Sequence, residues 1–355
     1  MAKLIPLSAM LFLAATTVTT STWATANSTS PACLDQFYQA VAPELQRESL
    51  KKDTTPLCLN GFNAMHSGVS KTSFWVAQHL TPERLSMKLK RQDSFHEEDL
   101  VKGARATLKD YRGSGYDRGH MAPNADMPTK AAQHDSFSLA NMVPQTPQNN
   151  QQVWRELEEG VRAFVTKQKQ DLYVITGPEY SGKNIKRLGG GVLVPTATYK
   201  AVYAPQTGMI GAYYVSNDMN VAKPQVEIIS ICALEDKLGI NLFPKLTQAQ
   251  KRKVYDLPLT AGQVKAKQEI VFKTTDQKST CAADVTAQQM KATQKIFQPS
   301  ATYEGTMEHV LAKKPQEGAN TQQQHQAQSE SSSTESSGLL KIISEILQFI
   351  VQLLK

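Results

Sequence analysis

The sequence predicts an α+β fold, on the basis of how its apolar residues are spaced. Runs rich in branched and aromatic residues indicate strands at residues 73–81, 171–177, 192–204 and 208–216. A longer segment, residues 150–168, has the spacing of an amphipathic helix. Strands and helix do not alternate strictly along the chain, which favours an α+β arrangement with strands around a helix.

The predicted helix has a single buried face. Its apolar residues Val153, Trp154, Leu157, Val161 and Phe164 recur at steps of three and four. This spacing places them on one side of an α-helix, where they can pack against a sheet.

The N-terminus resembles an export signal. Lys3 precedes an apolar run over residues 4–15, and small residues follow up to Ala26. We expect cleavage after Ala26 and a periplasmic or extracellular protein. A membrane anchor is the alternative, but the apolar run is short against the span of about 20 residues that a bilayer requires.

The four cysteines all follow the predicted cleavage point, where an oxidising compartment favours disulfides. Of the roughly three connectivities that four cysteines allow, we favour Cys33 with Cys58 and Cys232 with Cys281, because each closes a moderate loop. The sequence contains no C-x-x-C pair, which disfavours a zinc site built from them.

The mature chain divides into three regions. In residues 27–315, short apolar runs alternate with Gly, Pro and Asn, a pattern typical of a globular domain, with a core over about residues 60–260. Residues 316–338 form a polar tract that predicts a flexible tether. Residues 339–355 are apolar apart from a narrow polar stripe. This predicted amphipathic helix has four open roles: a membrane surface, self-association into a homo-oligomer, a partner protein, or the domain's own core.

The formal net charge of +7 suggests an acidic partner such as nucleic acid or an anionic membrane. Basic surfaces also serve solubility, so charge alone does not decide between these roles. Two basic runs, residues 183–187 and 251–253, are candidates for a nucleic-acid groove, with a solvated basic face as the alternative for each.

The stretch YDRGHMAP, residues 116–123, is the first candidate for chemistry. His120 can accept a proton near neutral pH. Gly119 allows a tight backbone path before it. Asp117 and Arg118 have two open roles, positioning a phosphate or closing a structural ion pair.

A second candidate lies in NMVPQTPQNNQQVWRELE, residues 141–158. On a helix, Asn150, Trp154 and Glu158 fall at four-residue steps and therefore lie near one face. An amide oxygen and a carboxylate are hard ligands that suit Mg²⁺, which retains several of its waters. The alternative for Asn150 is the common role of a helix N-cap.

Together these two segments resemble the DNA/RNA non-specific endonuclease family, the ββα-metal nucleases of the secreted Serratia type and their mitochondrial relatives. The pairing of DRGH with N-x8-N-x3-W-x3-E carries the resemblance. RQDSF at residues 91–95 is similar to an R-x-D-x-F segment of the family, and residues 234–246 resemble its closing helix. The similarity extends over about residues 73–244. It implies a ββα-metal core with an antiparallel sheet and flanking helices.

The resemblance also implies roles for individual residues. It makes His120 the general base and Asn150 the direct protein ligand of a Mg²⁺ ion, with Mn²⁺ as the alternative ion. Glu158 corresponds to a carboxylate that orients a water bound to the ion. Asn141 corresponds to an amide that holds His120 or the substrate, and Arg91 and Arg118 to cations that contact phosphate.

The implied activity is hydrolysis of phosphodiester bonds in both DNA and RNA, leaving 5′-phosphate ends. An inhibitor that protects the producing cell is left open. The alternative is a non-enzymatic protein that binds nucleic acid and acts through residues 339–355 at membranes or in assemblies. The presence of His120, Asn150 and Glu158 argues against that alternative.

Overall fold

The computed structural model of the chain describes residues 33–297. The predicted signal peptide, the tether at 316–338 and the amphipathic helix at 339–355 all lie outside these residues.

Seven strands form a central sheet in which every neighbouring pair is antiparallel. Across the sheet they are β12 (Val226–Ile229), β11 (Met209–Ser216), β10 (Ala197–Ala204), β7 (Leu172–Glu179), β4 (Thr72–Leu80), β3 (Phe62–Ser67) and β2 (Thr54–Leu59). Three of the predicted strands correspond to β4, β7 and β11. The fourth, predicted at 192–204, is divided before β10, where Pro195 lacks the N–H that a continuous ladder requires.

Four pairs of short strands surround the central sheet. They are β1 (Glu44–Leu45) with β13 (Ile240–Asn241), β5 (Asp117–His120) with β6 (Met142–Gln145), β8 (Arg187–Leu188) with β9 (Val192–Leu193), and β14 (Lys253–Tyr255) with β15 (Phe272–Thr275). The α-helices of the described region are α1 (Pro82–Ser86), α2 (Leu108–Tyr111), α3 (Lys130–Ser136), α4 (Arg155–Gln168), α5 (Ile231–Leu238), α6 (Gln248–Lys251) and α7 (Ala287–Ile296). This mixed architecture confirms the α+β prediction.

The two faces of the central sheet pack against different layers. Ala201 and Tyr203 of β10 face a core that includes α5. Val202, between them, faces the opposite core together with Leu157 and Val161 of α4. This alternation is the period of two that a strand buried on both faces requires.

The predicted helix at 150–168 begins differently from the prediction. Residues Asn149–Trp154 form a π-helical turn, and the regular α-helix α4 starts at Arg155. Asn149 anchors the turn to the sheet, since its Nδ2 donates to Thr198 Oγ1 at 3.1 Å and to Ser216 O at 3.3 Å. The prediction of a continuous α-helix from residue 150 is therefore wrong in its first turn, while its apolar face is confirmed.

The hairpin β5–β6 leads through this π turn into α4, which gives a ββα unit on one side of the sheet. Asp117 pairs with Gln145 in the ladder, and His120 pairs with Met142. The two motifs recognised in the sequence are therefore adjacent in space. DRGH forms β5, and the segment 141–158 contains β6, which pairs with it.

Both predicted disulfides are confirmed. Cys33 bonds Cys58 with a Cα–Cα distance of 5.6 Å, and Cys232 bonds Cys281 with a Cα–Cα distance of 4.1 Å. The first ties the segment before β1 to the edge strand β2. The second ties α5 to the segment that follows β15.

The segment between β14 and β15 lies along the back of α4. Lys167 Nζ donates to the carbonyls of Ala261 and Val264, at 2.8 and 3.0 Å. Leu257 and Val264 fill the core beneath this segment. Farther along the chain, the ring of Phe297 packs against Phe37 and Trp75 in the opposite core. No helix within residues 33–297 is long and apolar enough to cross a bilayer.

The basic run at 251–253 is not a continuous exposed surface, because its first residue is buried. Lys251 is buried, and its Nζ contacts Glu235 Oε1 at 2.9 Å and Asn241 Oδ1 at 2.6 Å. Glu235 also accepts hydrogen bonds from the backbone N–H groups of Leu242 and Ala282. This network joins α5, α6, β13 and the segment around the second disulfide.

Replacement of Lys251 by Ala is expected to destabilise the fold, because it leaves the Glu235 carboxylate buried without its cation. The free energy of unfolding should fall by about 3–5 kcal/mol, as for other buried pairs broken on one side. Denaturant titration measures this change. Lys253→Ala is the matched control, since Lys253 is exposed two residues away and its loss should change stability by less than about 0.5 kcal/mol. Equal stabilities of the two variants would contradict the assigned role of Lys251.

Candidate active site

An open cleft of about 1020 Å³ lies between the hairpin β5–β6, the start of α4 and the segment around residues 85–95. Five of the six predicted site residues line it: His120, Asn150, Glu158, Arg91 and Arg118. The predicted basic run 183–187 is not among the lining residues. The cleft therefore brings together residues that lie up to 67 positions apart in the sequence, from Arg91 to Glu158.

His120 is the last residue of β5, and two aromatic rings enclose it. The ring centroid of Phe137 lies 5.2 Å away and that of Phe95 lies 5.9 Å away. The Nε2 atom of His120 is buried and has no hydrogen-bond partner among the described residues. Burial, together with the charges of Arg91 and Arg118 and against the opposing effect of Asp93, lowers the pKa of His120 to about 3. His120 is therefore a neutral imidazole at neutral pH, able to accept a proton.

Asn150 lies in the π turn and faces Asp117 of β5. Its Nδ2 donates to Asp117 Oδ2 at 2.9 Å, and Gln151 Nε2 donates to the same oxygen at 2.9 Å. An amide that donates through its nitrogen has its oxygen directed elsewhere. The helix-cap alternative for Asn150 is wrong, because no side-chain cap is present and the Asn150 amide bonds a neighbouring strand.

Glu158 lies one turn into α4, at the cleft wall and half-buried. Burial raises the pKa of its carboxyl group, while the charges of Lys200 and Arg162 oppose that rise. Arg162 is itself held by Asp126, with an Nη1–Oδ1 distance of 3.1 Å. Lys200 is buried behind α4, where its Nζ donates to Thr176 Oγ1 at 2.8 Å and lies 5.1 Å from the centroid of the Trp154 ring.

The two predicted arginines are held in different ways. Arg91 pairs with Asp93, with an Nε–Oδ1 distance of 2.6 Å, and its Cζ lies 5.2 Å from the centroid of Phe137. The Cζ of Arg118 lies 3.8 Å from the centroid of Phe95. Both guanidinium groups line the cleft, as a phosphate-binding role requires.

Asn141 is the predicted site residue that does not line the cleft. It is fully buried, and its side chain bonds the backbone of the loop after β5. Its Oδ1 accepts from Ala122 N at 2.9 Å, and its Nδ2 donates to the carbonyls of Ala122 and Ser136, at 2.9 and 2.8 Å. Asn141 therefore holds the loop that follows His120. The alternative of a substrate contact does not fit, because its amide is already bonded to the backbone.

Sequence reasoning missed several residues of the cleft. It did not predict the hydrogen bond between Asn150 and Asp117, and it did not predict that Phe95 and Phe137 lie beside His120. It also missed Arg155 and Arg162 on α4, which line the cleft. Arg155 and Arg162 are seven residues apart, with Glu158 and Glu159 between them, and this spacing is typical of a charged helix face. It could have predicted that both arginines lie beside Glu158.

The residues of the cleft fit a hydrated hard cation. Residues 33–297 contain no group of three or more His, Cys, Asp or Glu side chains that could hold a metal. A cation that keeps most of its waters needs few protein ligands, and the Oδ1 of Asn150, which has no hydrogen bond within the described part of the chain, is an oxygen ligand of the kind that Mg²⁺ prefers. The fixed orientation of that amide, imposed by Asp117, supports this role.

The lowered pKa of His120 gives a direct test by NMR. Because its pKa lies near 3, we expect its ring resonances to show no titration between about pH 8 and pH 5, whereas an exposed histidine titrates near pH 6.5. His120→Asn provides the assignment. A His120 midpoint above pH 6 would contradict the burial described here.

The sequence and the fold were compared with known proteins. Residues 43–249 match the model of the DNA/RNA non-specific endonuclease family. A nuclease of Nostoc sp. is 37% identical over 169 residues, covering 46% of this chain and 60% of the relative. The mitochondrial nuclease of Saccharomyces cerevisiae is 31% identical over 218 residues, covering 54% and 66%. Human mitochondrial endonuclease G is 38% identical over 152 residues, covering 39% and 51%. The chain thus spans between half and two thirds of the length of these relatives.

The fold comparison agrees with the sequence comparison. A crystal structure of the EndoG/EndoGI complex contains a chain that superimposes with a TM-score of 0.51 at 25% identity, covering 56% of this chain and 89% of that one. The family match covers more than half of the 355 residues and includes the whole ββα unit that builds the cleft. By sequence and by fold, this chain belongs to the DNA/RNA non-specific endonuclease family.

Proposed function

We propose that this chain is a metal-dependent endonuclease that hydrolyses phosphodiester bonds in both DNA and RNA. The observation that carries the proposal is that one cleft contains two arginines, the oriented amide of Asn150, and His120, whose Nε2 has no hydrogen-bond partner within residues 33–297. Membership of the nuclease family supports it.

His120 is the general base of the proposed reaction. Its neutral imidazole takes a proton from a water molecule, and that water attacks the phosphorus atom. The bond from phosphorus to the 3′ oxygen breaks, the 3′ oxygen takes up a proton from water, and the phosphate stays on the 5′ carbon. The negative phosphate of a bound substrate opposes the effect of Arg91 and Arg118 on His120, and so raises the pKa of His120 toward the range of an effective base.

The two arginines bind the phosphate oxygens, which are negative both in the substrate and in the transition state. Asn150 would hold the divalent cation through Oδ1, and Glu158, on the same cleft wall, would accept hydrogen bonds from the hydration shell of the ion. When bound, Mg²⁺, or Mn²⁺ in its place, supplies positive charge to the phosphate and to the leaving oxygen.

This arrangement favours a substrate range that ignores base sequence and sugar. The groups that line the cleft suit phosphate, which every nucleotide carries, so recognition rests on the backbone. Affinity should therefore fall with rising salt, as expected when arginines release the counterions of a polyanion.

We also infer that the protein is exported to the periplasm or beyond. The N-terminal segment 1–26 and the two disulfides support this proposal, because disulfides persist in oxidising compartments. Association with membranes or other copies through residues 339–355 stays a prediction from the sequence, as does the presence of an inhibitor.

Replacement of His120 by Ala should lower kcat about 10²- to 10⁴-fold on plasmid DNA and on total RNA, the loss expected when a general base is removed. Gel assays with magnesium, with chelator and with the variant measure this. His134→Ala is the matched control, since His134 lies outside the cleft lining. Cleavage by the purified variant at the unaltered rate, or cleavage that persists in chelator, would overturn the mechanism.

Replacement of Asn150 by Ala should raise the Mg²⁺ concentration needed for half-maximal cleavage by about 10-fold or more, as expected when a metal ligand or its orienting partner is lost. Calorimetric titration of the protein with Mg²⁺ alone should show the same weakening without any nucleic acid. Gln152→Ala is the control, because Gln152 is exposed and outside the cleft lining. Equal Mg²⁺ affinity in the two variants would remove Asn150 from the proposed metal site.

A further inference from the structure

Arg118 is held in the cleft by contact with an aromatic ring. Its side chain forms no hydrogen bond and no ion pair within residues 33–297. Its one specific contact is the face of the Phe95 ring, 3.8 Å from the centroid. At this distance the guanidinium carbon is in van der Waals contact with the face of the ring, the position of a cation–π contact. Within residues 33–297, no hydrogen bond or ion pair therefore competes with a phosphate for its N–H donors.

Arg91 provides the contrast within the same cleft. One of its donors is already used by Asp93, at an Nε–Oδ1 distance of 2.6 Å. Its guanidinium lies farther from an aromatic ring, 5.2 Å from Phe137. The orientation of Arg118 therefore depends on its contact with Phe95. Without that contact, the long side chain would be mobile in the free protein and would lose rotamer freedom when it binds a phosphate.

Phe95 is itself held firmly in place. The next residue, His96, donates its N–H to Phe137 O at 3.2 Å and accepts from Leu139 N at 2.8 Å. This bridge sets the Phe95 ring edge-to-face against Phe137, with centroids 4.9 Å apart. The Phe95 ring also covers His120, at 5.9 Å. One ring thus lies beside both the proposed base and an arginine of the proposed phosphate site.

We propose that Phe95 is a positioning residue, whose ring holds the Arg118 guanidinium flat on the cleft wall with its N–H groups available to the substrate phosphate. The inference rests on the proposed function, because it assumes a phosphodiester substrate. The contact between Phe95 and Arg118 should affect substrate binding, because the phosphate is negative both before and during the reaction. An interaction made in both states changes KM more than kcat.

The test compares two replacements of Phe95 with different consequences for the ring face. Phe95→Tyr keeps the aromatic face, whereas Phe95→Leu keeps apolar bulk without it. Phe95→Leu should raise KM for DNA by about 2- to 30-fold, the range that matches the strength of cation–π contacts, with kcat within about 2-fold. Phe95→Tyr should resemble the unaltered protein. Phe272→Leu is the matched control, because Phe272 is an exposed ring of β15 outside the cleft.

A double-mutant cycle separates positioning from a merely structural role. Arg118→Met should raise KM, and adding Phe95→Leu to it should cause little further loss, since the ring then has no guanidinium to hold. Fully additive losses, equal losses in Phe95→Tyr and Phe95→Leu, or an unchanged KM in Phe95→Leu would each overturn the proposal. Thermal melts of every variant identify losses that come from unfolding, and a loss in Phe95→Leu explained by unfolding counts against the proposal.

A spectroscopic measurement keeps the proposal distinct from the proposed activity. The side-chain protons of Arg118 should show the ring-current shift of a group stacked on an aromatic face in the unaltered protein and in Phe95→Tyr, and should lose it in Phe95→Leu. An absent shift in the unaltered protein would refute the stacked arrangement. Failure of the unaltered protein to cleave DNA and RNA would instead refute the proposed function, whatever the Arg118 resonances show.

Discussion

The hydrogen bonds from Asn150 and Gln151 to Asp117 join the two halves of the ββα unit, and the arrangement of the cleft depends on them. Asp117 begins β5, and His120 ends the same four-residue strand, so a contact at one end fixes the distance from the π turn to the imidazole at the other. The π turn adds its own constraint. Asn149 anchors the turn to the sheet, and the turn fixes the position of Asn150 and the start of α4. The position of Glu158 on the cleft wall follows from where α4 starts.

The electrostatics of the cleft arise from burial combined with a small number of opposed charges. Phe95 and Phe137 partly bury His120 and at the same time offer their faces to Arg118 and Arg91. The same rings that keep the imidazole neutral therefore hold the cations next to it. In the proposed reaction, a phosphate bound in the cleft would oppose the charges of the arginines and so raise the proton affinity of His120.

Features that depend on local chemistry were predictable from the sequence. The apolar face of residues 150–168, the two disulfides, and the clustering of His120, Asn150, Glu158, Arg91 and Arg118 all agree with the structure. Features that depend on tertiary partners were not. The π turn arises because Asn149 bonds the sheet, and Lys251 is buried because Glu235 and Asn241 come from elsewhere in the chain. Asn141 was recognised as a site amide, but its position behind the loop follows from packing that spacing does not show.

The segment beyond residue 249, outside the family match, closes both cores of the domain. Leu257 and Val264 cover the back of α4, and Phe297 packs beside Trp75 on the far side of the sheet. An evolutionary boundary drawn from similarity therefore differs from the physical boundary of the folded unit. A recombinant form trimmed to the shared nuclease region would expose apolar surface on two faces at once and leave Cys232 without its partner, so aggregation and stray thiol chemistry should accompany it.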